Sequence, residues 1–152
     1  TGTNWQDAVF RTALQHQHQI SAQGGTEKVK YYVSGSYMDQ DGTLIGSSFN
    51  RYSFRTNLDA QLKPWLKIGL NATYSATQDD LKLADSDQGI ISYSLQTVPD
   101  IPIYDIDGNY SSIVREGYTS PNPIAMAMMD EILLYRQKLT GSIFADVTLM
   151  YH

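Results

Sequence analysis

A chain of 152 residues with formal net charge −5 has room for about one domain. An acidic balance excludes a nucleic-acid-binding role, which wants a basic patch, and zero cysteines exclude disulfide and thiol chemistry. With 41% hydrophobic residues and mean hydropathy −0.34 the chain reads as soluble, but transmembrane barrels read the same way because only alternate residues meet lipid. No stretch approaches the roughly 18 apolar residues of a membrane helix, and no signal peptide is recognisable. Eleven tyrosines against four phenylalanines suit many half-wet aromatic positions, as at membrane interfaces or sugar-binding surfaces.

The chain opens with a short helix expected near Trp5 and Val9, one turn apart, with Asn4 as its cap. It reads as a docking helix on an edge or loop. Alternation begins at Gln15. His16, His18, Ile20 and Ala22 fall on one face of a strand near 15–23, and Gln17, Gln19, Ser21 and Gln23 on the other. The His-x-His spacing sets two imidazoles side by side as for a metal, but no third ligand is recognisable, so two interfacial histidines are the simpler reading. Gly24 to Glu27 turns the chain, and a second strand near 28–38 sets Val29, Tyr31, Val33, Gly35 and Tyr37 against Lys28, Lys30, Tyr32, Ser34 and Ser36.

A polar loop from Asp39 to Asn50 leads into the most regular stretch of the chain. Near 51–63, Tyr52, Phe54, Thr56, Leu58, Ala60 and Leu62 share one face, with Arg51, Ser53, Arg55, Asn57, Asp59 and Gln61 opposite. After the Lys63-Pro64-Trp65 corner, near 66–77, Leu66, Ile68, Leu70, Ala72, Tyr74 and Ala76 oppose Lys67, Gly69, Asn71, Thr73, Ser75 and Thr77. These strands are longer than the ordinary five or six residues and match the roughly 9–11 that a tilted strand needs to cross a bilayer. Pairing Leu62 with Leu66 sets Phe54 opposite Tyr74, and pairing Met38 with Arg51 sets Tyr37 opposite Tyr52. One face of the meander is then apolar throughout. Its aromatics gather at the end away from the short turns, with Trp65 at the turn end, as in the two girdles of a membrane barrel.

The pattern breaks over 78–137, where Asp79, Asp80, Asp85 and Asp87 open a polar excursion. Ser86 is expected to cap a helix with Ile91, Leu95 and Val98 on its inner face, ended by Pro99. Asp105, Asp107, Asn109 and Glu116 match calcium-loop positions, but Tyr110 stands where that loop needs glycine, so a plain Asp-Gly turn is expected. Asn122-Pro123 reads as cap and first residue of a helix through Met129, with Ala125, Met126, Met128 and Met129 as packing residues. A fifth strand near 138–149 alternates Leu139, Gly141, Ile143, Ala145, Val147 and Leu149 with Lys138, Thr140, Ser142, Asp146 and Thr148. An excursion of this length is too long for a passive turn.

No catalytic motif is present: no nucleophile elbow, no HExxH and no Gly-rich phosphate loop, so neither an enzyme nor a cofactor is expected. The fold class is all-β, an antiparallel meander of about five long strands forming part of a transmembrane outer-membrane barrel. Arg51, Arg55, Asn57, Asp59, Lys67 and Asn71 are the candidates for its polar lumen, because charges beside lipid would be prohibitive. Tyr93, Tyr104, Tyr110 and Tyr118 of the long excursion are the candidates for contact with a substrate or partner. The alternative is a soluble β-rich carbohydrate-binding module with tyrosines on its sheet.

Certain runs carry a resemblance. Asn4 to Thr12 (NWQDAVFRT), His18-Gln19-Ile20-Ser21, and Tyr31 to Tyr37 (YYVSGSY) with Gln40-Asp41-Gly42 resemble the SusC/RagA-type TonB-dependent transporters of Bacteroidetes outer membranes. So do Phe49 to Asp59 (FNRYSFRTNLD), Trp65 to Gly69 (WLKIG), Pro102-Ile103-Tyr104-Asp105, Asp107-Gly108-Asn109 and Asn122-Pro123. The resemblance covers essentially the whole chain. It implies import of glycan fragments or peptides across the outer membrane, driven by the TonB complex, with a SusD-like surface lipoprotein as lid. The family has a plug and a barrel of about 22 strands. Neither a plug nor a TonB-contact segment is read here, so the chain is expected to be an internal slice of such a barrel. Short turns would lie on the periplasmic side, and the 39–50 loop and the 78–137 excursion outside.

Overall fold

The computed structural model describes residues 2–84, 86–115 and 117–149. Its elements in chain order are helix α1 (Trp5–Val9), strands β1 (Gln15–Gly25), β2 (Val29–Asp41), β3 (Ser48–Lys63) and β4 (Leu66–Leu81), helix α2 (Ile90–Gln96), strands β5 (Ile113–Arg115) and β6 (Tyr118–Ser120), helix α3 (Pro123–Met129) and strand β7 (Ile132–Val147). The five long strands form one sheet in the order β1-β2-β3-β4-β7, and β5 pairs with β6 in a small antiparallel hairpin. This is the expected all-β meander. The chain divides into two compact units.

The sheet unit holds His16–Asp39, Asn50–Gln78 and the residues from Tyr135 on. Its β2–β3 register is the one the alternation predicts. The Tyr37 and Tyr52 rings lie 4.8 Å apart, and the Arg51 guanidinium reaches the Met38 sulfur at 3.4 Å. Farther along the same two strands, the Gln61 amide donates to the Lys28 carbonyl at 2.7 Å, ten residues from Met38–Arg51 in each strand. The Pro64–Trp65 turn is tight, and the first hairpin closes through the Thr26 amide on the Val29 carbonyl at 2.7 Å. One face carries large apolar side chains that no protein covers among the described residues. Ile20, Leu62, Leu139 and Ile143 are 79%, 54%, 75% and 83% exposed, and Tyr52, Phe54 and Leu58 stand with them.

The strands run beyond their expected ends: β3 begins at Ser48 rather than 51, β4 reaches Leu81 rather than 77, and β7 begins at Ile132 rather than 138. Asp79 and Asp80 therefore close a strand instead of opening a loop. Pairing continues past the level where one face must be apolar, so the period-2 signal ends before the strand does.

The second unit gathers residues up to Gln15, Gln40–Phe49 and Asp79–Leu134 around a core of its own. Trp5, Val9, Leu44, Ile90, Ile113, Ile124 and Ala127 are buried together. The helix at Trp5 buries the two residues expected, and of the edge or loop it was expected to dock on it takes the loops, where it becomes part of a core. Asn4 caps it through the Asp7 amide, and the Trp5 indole donates to the Val98 carbonyl at 3.0 Å. Asn122 ties three segments together. Its Oδ1 accepts from the Ile124 and Ala125 amides at 3.0 and 3.3 Å, capping α3, and its Nδ2 donates to the Ile103 and Ser111 carbonyls at 2.9 and 3.3 Å. Lys82, its side chain only 4% exposed, pairs with Asp80 at 3.1 Å and donates to the carbonyl of Asp130 at the C-terminus of α3. Gly46 has φ +79° beside the Ala127 carbonyl, so a Cβ there would be both strained and in collision.

Two helix faces differ from expectation. Helix α2 starts after Gly89, not at Ser86, and buries Ile90 and Ser94 while Leu95 is 63% exposed. Ser94 and the neighbouring Thr97 enter the core at little cost because their hydroxyls donate to the Ile91 and Tyr93 carbonyls. Helix α3 spans the expected residues, but Pro123, Ile124 and Ala127 pack while Met128 and Met129 are exposed. Asp85 and Glu116 lie outside the described residues.

Replacing Asn122 with Ala should destabilise this unit by about 2–3 kcal/mol, since it removes a helix cap and the side-chain donor to the Ser111 carbonyl, while the Ile103 carbonyl keeps the Ser111 amide. Hydrogen exchange of the full-length protein checks it: amides of α3 should lose protection while those of the β2–β3 ladder keep theirs.

Candidate functional site: the polar face of the sheet

Alternation places the polar residues of β1 to β4 on the face opposite the apolar one. A cleft of about 310 Å³ on that face is lined by Gln19, Tyr32, Ser34, Ser36, Arg51, Ser53, Arg55 and Thr73, every one on the expected polar side. Toward the Pro64–Trp65 turn, a second cleft of about 220 Å³ is lined by Glu27, Lys28, Lys30, Asp59, Gln61 and Lys67. Lys67 pairs with Asp59 at 3.4 Å; both side chains are over a third exposed, so the pair adds at most about 1 kcal/mol. Of the six lumen candidates, Arg51 and Arg55 share the first cleft, Asp59 and Lys67 share the second, and Asn57 and Asn71 are exposed and line neither.

Phe144 of β7 was missed. It falls in step with Ser142 and Asp146, hence on the polar side, and its ring covers Gly69 so closely that a Cβ on Gly69 would enter it. The Lys67 ammonium stands 5.8 Å from the ring centre, within cation–π range. Gly69 was the available signal: a glycine on a polar strand face leaves room for a ring from the next strand.

On the opposite face, His16 contacts Asp39 at 3.3 Å and packs against His18 and Tyr37, with ring centres 5.3 and 5.9 Å away. Tyr135 lies with Tyr52 and Ala76 near the same end, while Trp65, 48% exposed, stands at the turn end. Aromatic and imidazole groups thus mark both ends of the apolar band.

The four loop tyrosines do not converge. Tyr104 and Tyr110 stack at 5.3 Å across a bridge, above a turn in which the Asp105 carboxylate accepts from the Asp107 and Asn109 amides at 2.9 and 2.8 Å. The Asp-Gly turn expected there forms, with Gly108 at φ +83° and Ile106 fully exposed at its tip. Tyr110 and Tyr118 pack against the core, and Tyr93 is half-buried in α2. Tyr104, 52% exposed, is the loop tyrosine offering the most surface.

An antiparallel sheet of long strands, apolar and uncovered on one face, polar on the other and banded by aromatics, is a wall segment of an outer-membrane β-barrel. The comparisons carry this further. No family model matches the chain. It is 33% identical over 131 residues to TonB-dependent receptor P3 of Formosa agariphila, covering 82% of this chain and 13% of the receptor. To TonB-dependent receptor SusC of Bacteroides thetaiotaomicron it is 32% identical over 109 residues, 71% of this chain and 11% of the relative. A solved structure of the RagAB peptide transporter superposes with TM-score 0.77 at 25% identity, covering 99% of this chain and 18% of that one. The chain belongs to the SusC/RagA-type TonB-dependent transporters and corresponds to part of their barrel, and it spans only 11–14% of the length of the receptors it matches.

In the full-length transporter, Leu58→Arg or Leu70→Arg should cost about 2–4 kcal/mol near the bilayer midplane, and Asn57→Arg or Asn71→Arg far less. The folded fraction, read from heat-modifiable migration on gels, should separate the two pairs.

Proposed function

We propose that this chain forms a wall segment and outer-loop structure of an active transporter in the outer membrane. It imports glycan fragments or peptides with energy from the TonB complex and works with a SusD-like surface lipoprotein. The observation that carries the reading is the two-faced sheet. Acyl chains suit a face bearing Ile20, Leu58, Leu62, Leu70 and Leu139, and water suits a face bearing Arg51, Arg55, Asn57, Asp59, Lys67 and Asn71. The names of the relatives support the same reading, since SusC and receptor P3 are both TonB-dependent receptors.

In this assignment the Thr26 and Pro64 turns are periplasmic, and the 39–50 loop and the 78–137 excursion, with Tyr104 and Ile106 exposed, are extracellular. Energy transfer lies with parts of the transporter outside the residues described, and the segment holds solute path and outer surface but no reaction chemistry. A soluble sugar-binding module is less consistent with the sheet, because Tyr52, Phe54 and Tyr74 share their face with the exposed Leu58, Leu62 and Leu70.

Cysteine substitution in the full-length transporter tests the assignment. A membrane-impermeant maleimide on intact cells should label Asp107→Cys and leave Thr26→Cys untouched. Shortening the 104–110 hairpin should reduce uptake or lipoprotein capture while the barrel still folds. Labelling of Thr26→Cys alone would reverse the topology, and unchanged uptake and capture would remove the hairpin from recognition.

A further inference from the structure

The two clefts of the polar face differ in charge. The one nearer the Pro64–Trp65 turn contains Glu27 and Asp59 among its lysines and neutralises part of itself through Lys67–Asp59. The other, in the half of β3 farther from that turn, holds two guanidiniums among neutral hydrogen-bonding side chains and no carboxylate. That stands out in a chain with 16 acidic against 11 basic residues. Among the described residues Arg55 has no hydrogen-bond or ion-pair partner, whereas Arg51 is anchored at Met38.

Arg51, Ser53 and Arg55 project from one face at successive strand steps. The arginine backbones are therefore about 13 Å apart, and both long side chains can reach a group bound over Ser53 between them. Ser34 and Ser36 of β2, Thr73 of β4 and the phenol of Tyr32 supply further hydroxyl donors around that point. Two guanidiniums lining one cleft favour an anion bound between them, and the fork of a guanidinium matches the two oxygens of a carboxylate.

Building on the import reading, we infer that this cleft is a carboxylate-binding station for the transported solute. It selects solutes bearing a free carboxylate, such as a peptide C-terminus or a uronic acid, over their neutral counterparts. Arg55 is the specificity-determining contact, Arg51 flanks it, and the hydroxyls orient the anion. The neutral lining lets solute slide once the anion is released.

The test uses the purified full-length transporter with matched probes: a tetrapeptide and its C-terminal amide, and an oligogalacturonate and its methyl ester. The wild type should bind the carboxylated member of at least one pair more tightly. Arg55→Gln should weaken that member by on the order of 10- to 100-fold, as expected for losing a charged hydrogen bond, and leave the neutral twin within about twofold. Arg55→Lys should fall between, and the salt dependence of carboxylate binding should flatten in Arg55→Gln. Equal loss for both members, or no wild-type preference within either pair, overturns the inference. Unchanged probe affinity with a lowered melting temperature of the ligand-free Arg55→Gln protein also overturns it, because the anion facing Arg55 is then one of the protein's own. Uptake separates this from the broader reading: solutes imported without charge discrimination leave the transporter standing and remove only the carboxylate station.

Discussion

The constraint on which this structure depends is that a sheet with one apolar face must meet lipid on that face while leaving no backbone group unpaired within the membrane. The long hairpins satisfy most of it. From β1 to β7 each strand finds its partner in the ladder, and the middle of the outward face carries side chains that a hydrocarbon environment accepts, with His16, His18 and Asp39 confined to one end of it. The two outer strands of the sheet are where the constraint stays open. Five strands are too few to enclose a lumen, so β1 and β7 in a membrane require further strands beyond them. The same requirement orders the polar side: arginines, lysines and asparagines cannot turn outward, so they line whatever the barrel encloses.

A second principle governs the unit built on Trp5, Ile90, Ile113 and Ile124. It has few long elements, and three polar side chains within it join separate segments through hydrogen bonds or an ion pair. Asn122 uses both ends of its amide, the Trp5 indole finds a carbonyl, and Lys82 finds a carboxylate and a helix end. A buried amide or ammonium left without such partners would cost more than the small core could offset. Stretches that look like loops thereby become a scaffold able to present a rigid tip such as the Asp105–Asn109 turn.

How much of this was legible in the sequence follows from the range of each signal. The strand faces were readable because lipid imposes a period of two on every residue from Tyr52 to Leu62 and from Leu66 to Ala76. The Tyr37–Tyr52 neighbours followed from short turns that fix register. The cap and length of α3 were readable because Asn-Pro acts locally. What failed was non-local. Nothing near Trp5 announces Val98, and adjacent Ile90 and Ile91 offer two equally good helical stripes, of which packing chose the first. Phe144 looked like an interruption of a polar row until Gly69 of β4 supplied the space beneath its ring. The lumen candidates were found as a face, but their division into an arginine cleft and a mixed-charge cleft arises only when four strands lie side by side.

The measurement that tests the central claim most directly is a spin-label scan along β3, from residue 51 to 62, in the full-length transporter reconstituted in bilayers. Collision rates with oxygen, which concentrates in lipid, and with a water-soluble nickel chelate should alternate out of phase with period two. Even-numbered positions such as 54, 58 and 62 should favour oxygen, and odd-numbered positions such as 55, 57 and 59 the chelate. Equal accessibility along the scan, or oxygen maxima at the odd positions, would contradict the account.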